Sequence, residues 1–344
     1  TPRTGSAGAR SFTPTKAAPQ EVQDAAKDPT KIFGKYVLVK ELGRGGAGIV
    51  YKAWDTTLAQ FVAIKFIRDQ DFGDSESQSG SQAVADFQRE ARMSAKLRHP
   101  NIIRIYELGC MSDRYYLSMD YIEGGSLFEV IHDSKERNTD TIFHKDTTKY
   151  LEMFRKVAEA VDSAHTHDPP VIHRDIKPHN VLVATNGTPY VVDFGLAKEV
   201  ELSTSAHTMT GVVMGTPSYM APEQAEGRNK DVDARTDVYS LGAVLYELIT
   251  GRPPFQGGSV REVLNAICTR LPERPNEAIA QALLEKPDGA NRPRPVPKPL
   301  ETICMKALEK LSADRYQSAK DMADDIGRFL KDEDILAQEP SLYR

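Results

Sequence analysis

Five short runs rich in β-branched and aromatic residues crowd the first third of the chain, at Tyr36 to Glu41, Ile49 to Trp54, Phe61 to Ile67, Ile102 to Leu108 and Tyr115 to Tyr121. They read as five strands of one small antiparallel sheet. Between the third and fourth, Asp86 to Leu97 carries Phe87, Ala91, Met93, Ala95 and Leu97 and is predicted to be a single helix, reached through an acidic, serine-rich loop over residues 69–82. Beyond Gly125 the periodicity turns helical. Tyr150, Phe154, Val157 and Val161 recur at three- and four-residue steps, and Asp237 to Ile249 is apolar on nearly every side. Val260 to Arg270, Leu300 to Leu311 and Ser318 to Leu330 complete the helical part, with short strand-like runs within Val171 to Val192 and a stiff loop of five prolines from Pro287 to Pro299. A run of strands followed by a run of helices defines an α+β chain: a small sheet-rich lobe, then a larger helical one. Residues 1–30 offer only Phe12 and Val22 as larger apolar side chains, too few to offset the entropy of ordering them, and are expected to be a disordered arm.

Charge and cysteine content narrow the function classes. Lys and Arg number 44 against 49 Asp and Glu, for a net charge of -5, so no global positive field draws the chain to nucleic acid or anionic lipid. Cys110, Cys268 and Cys304 are odd in number and widely spaced, which signals neither a disulfide framework nor a zinc site and fits a cytoplasmic chain. No window approaches the length of a membrane span, so this segment is expected to make no membrane contact. Position 1 is Thr, so the chain is expected to be a processed form or a piece of something longer, whose parent could be anchored elsewhere.

Three groups of residues carry chemistry. Gly43, Gly45 and Gly48 form a GxGxxG within Leu42, Gly43, Arg44, Gly45, Gly46, Ala47, Gly48. A dinucleotide loop would open a helix here, whereas Ile49 to Lys52 continue as a strand; a phosphate loop of the GxxxxGK type needs Lys where Ile49 stands. What remains is a glycine hairpin whose amides can approach phosphates. Next, Lys65 ends the apolar run Val62, Ala63, Ile64, seventeen residues after Gly48, and requires a counter-charge, for which Glu90 on the following helix is the candidate.

The third group is the most specific: His173, Arg174, Asp175, Ile176, Lys177, Pro178, His179, Asn180, then Asp193, Phe194, Gly195, then Ala221, Pro222, Glu223. A carboxylate, an amide five residues later and a second carboxylate thirteen further on provide one base and two hard oxygen ligands, the requirement of a magnesium-phosphate site.

In this order the three groups resemble the protein kinase superfamily over about residues 34–332, and Met220 to Ala225 resemble the eukaryotic-like Ser/Thr kinases of bacteria. The resemblance implies a two-lobed fold within a domain at 31–335, with an N-lobe of about 31–121 (five-stranded sheet plus one helix) and a mainly helical C-lobe of about 123–335. It implies that ATP is used with Mg2+ or alternatively Mn2+, that Lys65 holds the α- and β-phosphates and pairs with Glu90, that Asp175 accepts the substrate hydroxyl proton, that Lys177 touches the transferred phosphate, and that Asn180 and Asp193 hold the metal. Met119 falls at the gatekeeper position and Asp120, Tyr121 and Ile122 at the adenine hinge; Val50, Ala63 and Leu182 would sandwich the ring. Glu223 is expected to pair with Arg315, and Asp237 to anchor the catalytic loop.

The same likeness implies Ser/Thr specificity through Lys177 and Thr216, and autophosphorylation at Thr208 and Thr210, whose phosphates would meet Arg174 and Lys198. Expected partners are protein substrates including a second copy, in a homodimer during autophosphorylation, and not nucleic acid. Ser94 departs from the pattern, standing at a usually apolar position of the stack through His173 and Phe194. His165, His167 and His173 are read as packed side chains rather than metal ligands. An inactive scaffold is the main alternative, disfavoured because a scaffold has no need of Lys65, Asp175, Asn180 and Asp193 together; a small-molecule kinase would have no need of Ala221 to Glu223.

Overall fold

The computed structural model describes residues 18–45, 48–67, 88–89, 91–111, 114–132, 146–194, 217–285 and 295–339. The chain divides into two compact units: residues up to 77 together with 105–121, and residues 78–104 together with 122–344.

The first unit holds a helix α1 (Gln20–Ala25) and the strands β1 (Ile32–Phe33), β2 (Tyr36–Gly45), β3 (Gly48–Asp55), β4 (Gln60–Phe66), β5 (Ile105–Met111) and β6 (Arg114–Asp120). They form one antiparallel sheet in the order β1-β2-β3-β4-β6-β5. The expected strands are there, with one addition. β1 is two residues long and exists because Phe33 sets its ring edge-on against Phe66 and Tyr116, at 4.8 and 5.1 Å between centroids. Ile102 to Arg104 do not belong to β5; Ile103 instead donates its N–H to the carbonyl of Val191 in the second unit.

The expectation of a disordered arm over 1–30 is corrected for its last part. α1 and the residues just before it bury Ala18, Val22 and Ala25 against Val37, with Trp54 and Phe61 packed on the same cluster. A six-residue helix has little stability alone, and here tertiary packing supplies it.

The second unit is mainly helical. Residues 91–94, inside the predicted helix, are helical and pack within this unit. A short helix α2 (Leu127–His132) follows the strand β7 (Gly124–Ser126), which pairs with β8 (Val181–Ala184) and through it with β9 (Pro189–Val191). The core is built on α3 (Thr147–His165) and on the helix at Ala234–Thr250, with the helices Lys298–Ala307 and Ala319–Leu330 packed around them. The helix expected from Asp237 begins three residues earlier, at Ala234, and the one expected from Leu300 begins at Lys298. Asp146 caps α3 through the Lys149 N–H, and Asp233 caps the Ala234 helix by accepting from Arg235 N–H while its own N–H donates to Thr236 Oγ1. The Ala234 helix ends at Gly251, whose φ of +76° suits glycine. One helix, Pro275–Glu285, lies in a stretch where no helix was predicted.

Candidate active site

In the second unit the chemistry gathers on the loop between α3 and β8. Its frame is Asp237, fully buried in the first turn of the Ala234 helix. The carboxylate accepts the N–H of His173 at 2.7 Å and of Arg174 at 2.8 Å, and accepts from His165 Nε2 at 2.8 Å. Burial pushes the Asp237 carboxyl up, but His165 and these donors outweigh it and hold it below the ordinary range. Arg174 is thereby kept at φ +67°, a conformation that non-glycine residues adopt only when their surroundings enforce it.

His173 orders the next step. Its Nε2 donates to the Val192 carbonyl at 2.8 Å and its Nδ1 accepts the Asp175 N–H at 3.3 Å, which fixes the neutral tautomer protonated on Nε2. The ring also packs on Phe194, 4.6 Å between centroids.

Asp175 projects beyond this frame with two partners. Lys177 Nζ lies 2.7 Å from its Oδ2, and Asn180 Nδ2 donates to both its main-chain oxygen and its Oδ2, each at 2.8 Å. Both amide protons of Asn180 are thus committed to Asp175, which leaves Asn180 Oδ1 as an acceptor for a hard cation. The Val192 N–H donates to the Asn180 carbonyl at 3.0 Å, bringing the metal-ligand candidates Asn180 and Asp193 onto adjoining segments. Asp193 itself stands at φ +65°. Leu182 lies on β8, opposite Tyr190.

In the first unit Gly43, Arg44 and Gly45 end β2 and Gly48 opens β3. Gly48 is required by the fold, since at φ +124° an added Cβ would come within 1.9 Å of the Phe66 carbonyl oxygen. Gly43 and Gly45 are not, because a Cβ on either would meet nothing within 4 Å. Arg44 turns back to Glu41 at 2.9 Å, and Leu42 is exposed. Lys65 is buried on β4, in register with Val50 on β3 and Leu117 on β6. Ala63 is in register with Met119; Asp120 ends β6 and Tyr121 follows, with Ile122 the first residue of the second unit's longer segment. Glu90, Gly46, Ala47, Gly195, Lys198, Thr208, Thr210 and Thr216 lie outside the described residues.

The expected pair of Glu223 and Arg315 is present and buried, with two parallel bonds of 2.8 Å. Burial acts to raise the Glu223 carboxyl, and the Arg315 guanidinium outweighs it and holds the group low. His165 and His173 serve Asp237 and the loop backbone, with no shared ligand position.

Two features escaped the sequence reading. Gln224 Nε2 donates to the Arg174 carbonyl at 2.8 Å, tying the segment after Pro222 to the loop that carries Asp175. Glu247, buried in the Ala234 helix, accepts from the Tyr219 hydroxyl and bonds His132 Nε2 at 2.8 Å. Its signal was in the sequence, as the one carboxylate interrupting the apolar run from Val238 to Ile249. Beyond His132 the contacts continue through Phe128 to His179, whose ring stacks on Phe128 at 4.1 Å. Burial, then the Lys177 cation, lowers the His179 imidazole below its ordinary value.

A base candidate fixed by a lysine and an asparagine, on a loop hung from a buried aspartate, is the arrangement expected of a protein kinase. The family model "Protein kinase domain" matches residues 36–325, and the chain belongs to that family. It is 35% identical over 315 residues to the probable serine/threonine-protein kinase CPE1738 of Clostridium perfringens, covering 90% of this chain and 41% of the relative. It is 36% identical over 296 residues to the serine/threonine-protein kinase PrkC of Bacillus subtilis, covering 86% and 40%. Among solved structures, the crystal structure of a single-site mutant of the Mycobacterium tuberculosis PknI kinase domain matches with a TM-score of 0.60 and 25% identity, over 86% of this chain and 96% of that one. The chain spans about two fifths of the length of these curated relatives.

Proposed function

We propose that this chain transfers the γ-phosphoryl group of ATP to Ser or Thr hydroxyls of protein substrates, its own activation segment included, with a second copy serving as substrate during autophosphorylation. One observation carries the reading: Asp175 is held by Lys177 and Asn180 on a loop whose main chain is fixed by Asp237. In the reaction Asp175 accepts the hydroxyl proton as the substrate oxygen bonds to the γ-phosphorus. The bond from that phosphorus to the bridging oxygen breaks, and its electron pair leaves with ADP. Lys177 stands beside the same carboxylate and serves to offset the negative charge of the transferred phosphoryl group.

Asn180 Oδ1 and the Asp193 carboxylate form the donor set for Mg2+, or Mn2+ in its place, as hard oxygen ligands on adjoining segments. The metal supplies neutralisation of phosphate charge when bound. Lys65 serves the α- and β-phosphates from the buried strand β4. The freedom around Gly43 and Gly45 supports close approach of phosphates, because the fold itself makes no use of a missing side chain there. Met119 to Ile122 then serve as the hinge to adenine, with Val50, Ala63 and Leu182 about the ring.

Among the described residues no helix is long and apolar enough to cross a membrane. The test is incubation of the purified chain with radiolabelled ATP, Mg2+ and a protein substrate, followed by phosphosite mapping. Label on Ser and Thr supports the reading, and folded protein that transfers no label overturns it.

A further inference from the structure

The register of β3 and β4 places more than the expected nucleotide contacts on one face. Val50, Lys52 and Trp54 alternate to the same side of β3 and are in register with Lys65, Ala63 and Phe61 of β4. Val50, Ala63 and Lys65 are expected to meet ATP, so Lys52, Trp54 and Phe61 prolong the nucleotide-facing surface. At that end the surface is covered by α1. Ala18, Val22 and Ala25 are buried with Val37, and Trp54 and Phe61 pack against them.

Lys52 joins this cover to the hinge. Its Nζ lies 2.7 Å from Glu21 Oε1 on α1, 4.1 Å from the centre of the Phe61 ring and 5.2 Å from that of Tyr121. The Lys52 side chain is only 16% exposed, although it carries a charge on a sheet surface. Phe61 is also the meeting point of Trp54, 5.0 Å away edge-on, and Tyr121, at 6.1 Å. An ion pair with an exposed carboxylate has little effect by itself. A cation held over two rings, one of them at the hinge, has more, because it is partly withdrawn from water and constrains where the rings stand.

We propose that Lys52 is a positioning residue for the hinge at Tyr121, and that α1, through Glu21, sets how firmly it acts, so that the segment preceding the sheet governs nucleotide affinity. This inference rests on the ATP reading above. Lys52 touches neither base nor metal ligand, so its loss alters nucleotide binding and leaves the chemical step alone.

The test uses the full chain and two readouts, steady-state kinetics in ATP and the emission of Trp54, the single tryptophan. Lys52→Gln is expected to raise KM for ATP roughly three- to tenfold, with kcat held within about twofold. Lys52→Arg, which keeps the charge over the rings, is expected to stay near the parent value. Glu21→Gln should raise KM less, and the double variant should be no worse than Lys52→Gln alone. Removal of residues 1–26 should reproduce the Lys52→Gln KM and shift Trp54 emission to the red, as α1 no longer shields it. Unchanged KM in folded Lys52→Gln protein, or equal effects of Gln and Arg, overturns the positioning role while ATP use stands. Parent protein that neither binds nor turns over ATP overturns both.

Discussion

Arg174 is held in the left-handed backbone region by Asp237, whose Oδ1 accepts its N–H at 2.8 Å while Oδ2 accepts that of His173 at 2.7 Å. Replacing one carboxylate oxygen by an amide NH2 sets a donor against a donor and releases one of these main-chain groups. Hydrogen bonds to charged groups contribute about 1.5–3 kcal/mol each. Asp237→Asn is therefore expected to lower kcat roughly tenfold to a hundredfold by loosening the base, with little change in KM for ATP. Steady-state kinetics on folded protein check this split; a raised KM with normal kcat would contradict it.

On the function proposed above, Lys65, Asp175 and Asp193 carry phosphate binding, proton acceptance and metal binding. Lys65→Met, Asp175→Asn and Asp193→Asn are each expected to cost about a hundredfold or more in turnover, the scale of positioned acid-base and electrostatic groups. Radiolabel transfer with each folded variant is the measurement. Near-parent rates in all three would overturn these role assignments.

The Glu223 and Arg315 pair is structural, and its removal should be felt in stability. Arg315→Met leaves Glu223 buried without its cation and is expected to cost about 3–5 kcal/mol. Because the folded Glu223 carboxyl lies below its ordinary value, the pair's contribution is complete above about pH 4.3 and falls away as pH drops below it towards the folded value. Urea unfolding of parent and variant from neutral pH down to about pH 4 should show their difference narrowing only at the acid end.

The partners of Asp237 and Glu223 were anticipated only through the resemblance to protein kinases that the ordered motifs carry. The Ala234 helix was legible because its apolar run has one location available to it, the core. α1 was not, since Val22 and two alanines become an anchor only when Val37, Trp54 and Phe61 are assembled beside them. Nor was it legible that residues 91–104 pack with the second unit. That follows from single bonds such as Ile103 N–H to Val191 and Asn101 Nδ2 to the Pro189 carbonyl at 2.8 Å, which have no periodic signature.

Ser94 shows the same limit at the site. As a polar residue in an apolar stack it reads as a weak point, yet its buried hydroxyl donates to the Phe194 carbonyl at 2.8 Å. The hydroxyl thus tethers the segment bearing Asp193. Ser94→Ala is expected to destabilise the protein by about 1 kcal/mol, the net value of one such bond, and to lower activity modestly. Denaturant midpoints at constant m-value measure it, and an unchanged midpoint would show the bond to be without effect.

The last prediction concerns activation. Arg174 is fixed at its main chain by Asp237 and Gln224, while its guanidinium Nε is buried with no hydrogen-bond partner among the described residues. A buried donor left in that state is costly, and a phosphate with its charge near -2 can satisfy it through charge-assisted bonds. Thr208 and Thr210 lie in the segment between Asp193 and Pro217 and precede the pair Gly215 and Thr216. Ser203, Thr204 and Ser205 are the competing acceptors. Phosphate on Thr208 or Thr210 is expected in active protein and absent from Asp175→Asn protein, as read by intact mass and peptide mapping. The Thr208→Ala, Thr210→Ala double variant is expected to lose about tenfold or more in turnover, the effect of one to three such bonds, and Arg174→Ala should lose the benefit of phosphorylation without losing the modification. Full activity in the double alanine variant would refute the switch, even if both threonines are found modified in the parent.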